Sequence, residues 1–259
     1  MSFIGELFVG GVTLLTSIRD GFGRKGKLTT TYLRDGTKFL RRAGSFDRFV
    51  IWEVWGLHDY DKGGFRIKPE DIVVDIGAQI GAFSVYAAKK AKKGKIFAYE
   101  PFSENYKILL ANKKLNKTSN LKPFKLAISG KAGSVDFYSS ASNSAAHSLI
   151  KFQKDHVKAE DRVRTIPLKE VFLNNKIGKV DFLKIDAEGS EYEILFKTPK
   201  KFLNKIGKIV MEFHWSHGFK YSPEDIRIFL QKNGFEVKMR KVPFTANAGF
   251  IYAKRLGFK

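Results

Sequence analysis

The stretch Ile72-Val73-Val74-Asp75-Ile76-Gly77-Ala78-Gln79-Ile80-Gly81-Ala82-Phe83-Ser84-Val85-Tyr86-Ala87-Ala88 decides how this chain is read. Three β-branched residues in succession suit a strand buried on both faces, as in a parallel sheet. The strand pattern breaks at Gly77, and Phe83, Tyr86 and Ala87 then recur at helical spacing. A strand, a glycine turn and a helix N-terminus form the geometry that brings bare backbone N–H groups up to a ligand. Gly77 and Gly81 are expected where a Cβ would block that approach or where φ must be positive. The spacing is G-x-x-x-G, not the dinucleotide fingerprint G-x-G-x-x-G, which counts against NAD or FAD. Asp75, ahead of the glycines, suits a ligand with a positive centre better than a pyrophosphate.

Downstream, strands and helices alternate, the pattern of a parallel sheet. Strands are expected at Lys95–Tyr99, Leu121–Ile128, Val180–Ile185 and Lys208–Phe213, with helices at Ser103–Leu115, Leu168–Asn174 and Ser190–Phe196. Ser134–Tyr138 reads as a short extra strand and Arg162–Pro167 as a further extended piece. Ser222 as N-cap and Pro223 at the first helical position open a helix to Lys232. Phe235–Arg240 and Gly249–Lys254 close the sheet as a hairpin, giving five parallel strands and a terminal pair, with ligands at the carboxyl ends. Upstream, residues 1–25 read as a weakly amphipathic helix docked on the core. A hairpin follows, Leu28–Leu33 and Lys38–Arg42 around Asp35-Gly36. A helix with Ser45 as N-cap and Phe46, Phe49, Val50 and Trp52 or Val54 on its apolar face then runs out at Gly56–Tyr60. Residues 1–60 are therefore an N-terminal helix and hairpin elaboration, and residues 61–259 the main domain.

With 259 residues and 43% hydrophobic content, the chain can bury a sizeable core. It contains no cysteine, which excludes disulfides, cysteine nucleophiles and thiolate zinc sites. No apolar run reaches membrane-spanning length, and no basic leader precedes the first apolar segment, so a cytoplasmic location is expected. The net charge of +21 suits nucleic acid, an anionic membrane surface or an acidic substrate, and equally a solvated lysine-rich surface.

Glu100 in Tyr99-Glu100-Pro101 falls at the end of the second strand, about twenty residues beyond the glycines, where an acid meets ribose hydroxyls in dinucleotide folds. Such a carboxylate accepts two hydroxyl hydrogen bonds at once. In the fourth strand Lys184 and Asp186 share a face, and Glu188 sits at its exit. Glu212 and His214 likewise share a face at the end of the fifth strand, and a histidine can take a hydroxyl proton near neutral pH. Two carboxylates and a histidine also have the chemistry of a divalent-metal site, but these spacings demonstrate no ligand set, and no metal ligand is assigned.

Asp75-x-Gly77-x-x-x-Gly81, Tyr99-Glu100-Pro101 and Leu183-Lys184-Ile185-Asp186-Ala187-Glu188-Gly189-Ser190-Glu191 together resemble the FkbM family of S-adenosylmethionine (SAM)-dependent class I methyltransferases. The resemblance covers roughly Tyr60 to Trp215. It implies an α/β fold: a seven-stranded, mostly parallel Rossmann-like sheet with an antiparallel C-terminal hairpin, plus the small N-terminal elaboration. It implies SAM as cofactor, held by Asp75, Gly77, Ala78, Gly81, Glu100, Pro101, Ala127 and Asp186, with Ala127 where the adenine rests in this fold. It also implies O-methylation of a sugar, glycan or other small acceptor, acidic or lipid-linked acceptors included. Asp186 and Glu188 would border the methyl group, with His214 as base candidate, and the Ser139–Ser148 loop and the His58–Tyr60 segment would shape the acceptor pocket. Gln79 departs from the asparagine usual in the family. An RNA ribose methyltransferase is the alternative that the charge suggests, though not the favoured one. The fourth strand lacks the Asn/Asp-Pro-Pro-aromatic grip used for base amino groups. A non-catalytic SAM-fold binding protein fits poorly with intact glycines and acids.

Overall fold

The computed structural model describes residues 26–140, 147–148, 156–215, 219–241 and 248–258. The expected helix within residues 1–25, the middle of the Ser139–Ser148 loop and His217 lie outside them. Strands β1 (Leu28–Tyr32) and β2 (Lys38–Arg42) pair antiparallel around the Asp35-Gly36 turn. Helix α1 (Asp47–Trp52) follows, continued by a wider helical turn over Glu53–Leu57. Next come β3 (Ile72–Ile76), α2 (Ala82–Lys90), β4 (Lys95–Tyr99), α3 (Ser103–Leu115) and β5 (Leu121–Phe124). Strands β6 (Ala127–Ser129), β7 (Gly133–Ser140), β8 (His147–Ser148) and β9 (His156–Pro167) lead to α4 (Leu168–Asn174) and β10 (Val180–Ile185). The chain closes with α5 (Glu191–Phe196), α6 (Lys200–Leu203), β11 (Ile206–His214), α7 (Pro223–Lys232), β12 (Phe235–Lys241) and β13 (Ala248–Arg255).

The main sheet has seven strands in the order β12-β13-β11-β10-β3-β4-β5. Strands β5, β4, β3, β10 and β11 run parallel, and β13 and β12 add antiparallel at one edge. Val73 and Val74 on β3, and Leu183 and Ile185 on β10, are fully buried, as apolar runs in a sheet covered on both faces must be. Strand order reverses between β3 and β10, so a crevice opens there at the carboxyl ends of the strands. Among the described residues no helix is long and apolar enough to cross a membrane.

Three expectations change. Leu121–Ile128 is not one strand: β5 ends at Phe124, and Ala127–Ser129 joins a second sheet, order β6-β9-β7-β8, pairing with Thr165–Pro167. That partner lies far along the chain, beyond the reach of any local pattern. The two short pieces expected at Ser134–Tyr138 and Arg162–Pro167 are the long, paired strands β7 and β9 of this sheet. In α1, Asp47 and Ile51 are the buried residues, and Val54 in the turn after it is buried as expected, whereas Phe46 and Phe49 are exposed. The reason is electrostatic: Arg42 reaches both oxygens of Asp47 (2.9 and 2.8 Å) and draws that helix face inward. Ser45 still accepts from the Asp47 N–H (3.2 Å), although Phe46 is the flanking residue of the helix.

The N-terminal hairpin is stitched to α3 by asparagines one turn apart. Asn112 accepts from Leu40 N (2.7 Å) and donates to Leu40 O (3.0 Å) and Ile80 O (2.8 Å). Asn116 repeats the pattern on Lys38 N and O (3.1 and 2.7 Å). Each amide imitates a strand neighbour for the edge of β2, and Asn112 is fully buried. Unpaired buried groups cost about 1–3 kcal/mol each. Asn112→Ala is therefore expected to lower unfolding free energy by about 3 kcal/mol in urea titrations, and Asn116→Ala, at the solvent-exposed end, by less than half as much.

Candidate active site

Beyond β3 the chain turns through Gly77 (φ +75°), Gln79 (φ +50°) and Gly81 (φ +87°) into α2. Both glycines adopt the left-handed backbone expected of them. A Cβ on either would strike protein: at Gly77 the Asp186 carbonyl oxygen, at Gly81 the Leu109 side chain. They let the exit of β10 and helix α3 close onto the turn. The turn's N–H groups are not bare, contrary to expectation. Gly77 N and Ala78 N donate to Tyr99 O (both 3.0 Å), Gln79 N to Glu100, Ile80 N to its neighbour's Oε1 and Gly81 N to Ala78 O. No anion cradle remains at Gly77–Gly81, which agrees with the sequence argument against a pyrophosphate.

Glu100 follows β4 and is buried, its oxygens accepting from Gln79 N and Phe102 N (both 2.8 Å). Burial pushes its carboxyl up to about 7, against the pull of those N–H groups and of Asn105. Three donors thus already reach this carboxylate, which leaves it room for one further hydroxyl. Pro101, Phe102 and Val163 line the adjoining cleft, with Lys125, Arg162 and Arg164 as its basic rim. Ala127 packs against Val163 in the small core that also takes Phe102. Asn105 is buried and accepts from Arg42 (2.7 Å), and the Gln79 amide donates to Asp47 (2.9 Å). The longer glutamine thus links the turn to the N-terminal hairpin through Asp47 and Arg42.

Lys184 sits opposite Asp75 in the parallel register of β10 on β3. Its buried Nζ donates to Gly77 O (2.7 Å) and stands 3.4 Å from Asp75 Oδ1 and from Asp186 Oδ2, over the Tyr60 ring. Burial alone would lower its pKa, but Asp75 and Asp186 outweigh burial and hold it above the ordinary lysine value. Asp75 is completely buried, and its other oxygen accepts from Ser84 Oγ.

Asp186, Glu188, Glu212 and His214 meet at the carboxyl ends of β10 and β11. His214 Nε2 lies 3.6 Å from Glu188 and 3.8 Å from Glu212. Its Nδ1 lies 3.1 Å from Glu191, which is fully buried and accepts from Ala187 N (3.0 Å) and Gly189 N (2.9 Å). Glu188 holds a left-handed backbone (φ +48°). Burial and the neighbouring Asp186 push the Glu53, Glu188 and Glu212 carboxyls up, and the carboxylates around His214 hold the imidazole well above its usual value despite burial. Sequence reading missed Glu53, while Tyr60, in the His58–Tyr60 segment named for the acceptor pocket, lies under Lys184. Glu191 appeared in that reading only as the last residue of the Leu183–Glu191 motif, with no contact to His214 foreseen. The E-x-x-E spacing from Glu188 was the signal available for Glu191. His58 does not join the acids; it lines a separate groove with Trp55, Tyr86 and Lys89.

Residues 75–237 match the family model of the methyltransferase FkbM domain. The chain belongs to the FkbM methyltransferase family. The matched span carries the glycine turn, Glu100, Lys184 to Glu191 and the end of β11. The hexuronic acid methyltransferase AglP of Haloferax volcanii is 22% identical over 220 residues, 82% of this chain and 85% of that protein. The AMB antimetabolite synthetase AmbE of Pseudomonas aeruginosa is 25% identical over 228 residues, which make up 74% of this chain but only 11% of AmbE. The crystal structure of methyltransferase FkbM from Methylobacillus flagellatus KT matches with a TM-score of 0.52 at 15% identity. That match covers 76% of this chain and 49% of the other, and it shows the shared fold.

Removing one partner of a buried ion pair costs about 3–5 kcal/mol. In this FkbM domain Lys184→Met is expected to lose that much in urea unfolding. Adding Asp75→Asn to Lys184→Met should restore part of it, because it removes the orphaned charge.

Proposed function

We propose that this FkbM domain transfers a methyl group from SAM to a hydroxyl of a sugar or other small polyol. The observation that carries the proposal is the placement of two unlike acid sites across one crevice: Glu100 beside the glycine turn, and Asp186 with Glu188 at the exit of β10. The residues fit the cofactor. Glu100 keeps an acceptor position for a ribose hydroxyl, Gly77, Ala78 and Gly81 shape the turn, Pro101 with Ala127 borders the adenine side, and Asp75 acts through Lys184. When bound, SAM supplies an already activated methyl group, which leaves alignment and proton removal to the protein. Asp186 and Glu188 then face the acceptor. Glu188 takes its hydroxyl proton, and His214, held by Glu191, orients that carboxylate and the acceptor oxygen.

Two measurements test this. Glu100 ionises in the folded protein at about 7 rather than near 4.5, so its neutral form favours folding. That contribution is complete below about pH 4.5 and lost as pH rises through 7. Ribose hydroxyls donate to the ionised form, so SAM affinity by calorimetry should rise about tenfold from pH 6 to pH 8 and then level off. Glu100→Gln should weaken binding and flatten the profile; an unchanged profile would remove Glu100 from the cofactor site. In single-turnover methyl transfer to a sugar acceptor, Glu188→Gln should slow the reaction by about 10²–10⁴-fold with SAM affinity nearly intact. Wild-type rates in Glu188→Gln would exclude it as the proton acceptor.

A further inference from the structure

We propose that Asp186, Glu212 and His214 form a divalent-cation site at the acceptor end of the crevice, suited to magnesium or manganese. One donor atom from each residue lies within 4.8 Å of the others. Donors across a cation with bonds of about 2.1 Å are separated by about that span. The donors stand on the ends of β10 and β11, adjacent strands paired Lys184 to Val210 and Ile185 to Met211, so the sheet sets their spacing.

A second observation comes from outside the three donors. Buried Glu191 is fixed by the Ala187 and Gly189 N–H groups and receives Nδ1 of His214 at 3.1 Å. The Glu191 contact fixes the ring through Nδ1 and leaves Nε2 turned toward Glu188 and Glu212, the carboxylate–histidine–metal arrangement that orients a ligand. Around Nε2 stand carboxylate oxygens of Glu188 and Glu212 at 3.6 and 3.8 Å, beyond hydrogen-bond length. A cation seated among these oxygens and Nε2 would displace the imidazole proton, as metal binding to histidine does. Two carboxylates and one imidazole make an oxygen-rich set, the chemistry of magnesium and manganese rather than of thiolate metals.

Such a cation would take the acceptor's hydroxyl, or two vicinal hydroxyls, in its remaining positions and lower their pKa. The O–H bond then breaks with the proton passing to Glu188. The oxygen forms its bond to the methyl carbon as the carbon–sulfur bond breaks, its electron pair staying on sulfur. This role in catalysis rests on the methyl-transfer reading; the cation site itself rests on geometry alone.

The test uses the full chain and Mn²⁺, without SAM or acceptor. Titration followed by electron paramagnetic resonance should give one bound Mn²⁺ per chain, and spin-echo modulation should show a directly coordinated ¹⁴N. Glu212→Gln and His214→Ala should each weaken binding at least tenfold, with His214→Ala abolishing the ¹⁴N signal, while the exposed Glu70→Gln changes neither. No stoichiometric Mn²⁺, or Mn²⁺ without ¹⁴N coupling in the wild-type protein, overturns the site even if the variants fail to fold. SAM affinity after chelator treatment separates the two readings. SAM bound without any Mn²⁺ site sinks the cation and leaves methyl transfer standing; Mn²⁺ bound without SAM affinity sinks methyl transfer and leaves the cation site.

Discussion

One ammonium group, that of Lys184, joins the two halves of the crevice. It is withdrawn from water between β3 and β10, where a lysine left alone would shed its proton. Asp75 and Asp186 stand on opposite sides of it, and the Gly77 carbonyl accepts its shortest hydrogen bond. The contact therefore locks the start of the glycine turn to the exit of the fourth parallel strand. It also explains why position 77 is glycine: the Asp186 carbonyl occupies the space of a Cβ. The glycine turn and the exit of β10 are held in register by one charge, and moving either would expose the buried Asp75 carboxylate.

The ends of β10 and β11 are tied by a second, separate arrangement. Glu191 closes the loop after β10 through the Ala187 and Gly189 N–H groups and steers His214 on β11. Glu188 lies between the two arrangements in a left-handed conformation that non-glycine residues adopt at a cost of order 1–3 kcal/mol. The loop hydrogen bonds that order Asp186 to Glu191 supply the rigidity this conformation needs. The acids gather at the exit of β10, whereas Lys125, Arg162 and Arg164 rim the cleft beside Pro101, so charge is divided between two places. The overall charge of +21 says nothing of this internal division.

The N-terminal hairpin and α1 are integral to the crevice. Arg42, Asp47 and Gln79 form a continuous chain of polar contacts from β2 to the glycine turn. Asn112 and Asn116 fasten the same hairpin to α3. The turn after α1 also delivers Tyr60 to the face of Lys184 and Glu53 to the acid cluster. Both residues precede the span matched by the FkbM family model, which begins at residue 75.

Most of the parallel sheet was legible in the sequence, because apolar runs, glycine breaks and helix caps are local signals. Helices Ser103–Leu115, Leu168–Asn174 and Pro223–Lys232 match residue for residue. The alternation of side chains along a strand already placed Lys184 with Asp186, and Glu212 with His214, on shared faces. Only the folded chain decided what those faces meet. Strand β6 left the main sheet for a partner about forty residues away, α1 turned Asp47 inward for Arg42, and Glu191 became the support of His214. Each outcome depends on pairing between segments distant in sequence, where burial forces a charge or backbone group to find a partner that no local pattern names.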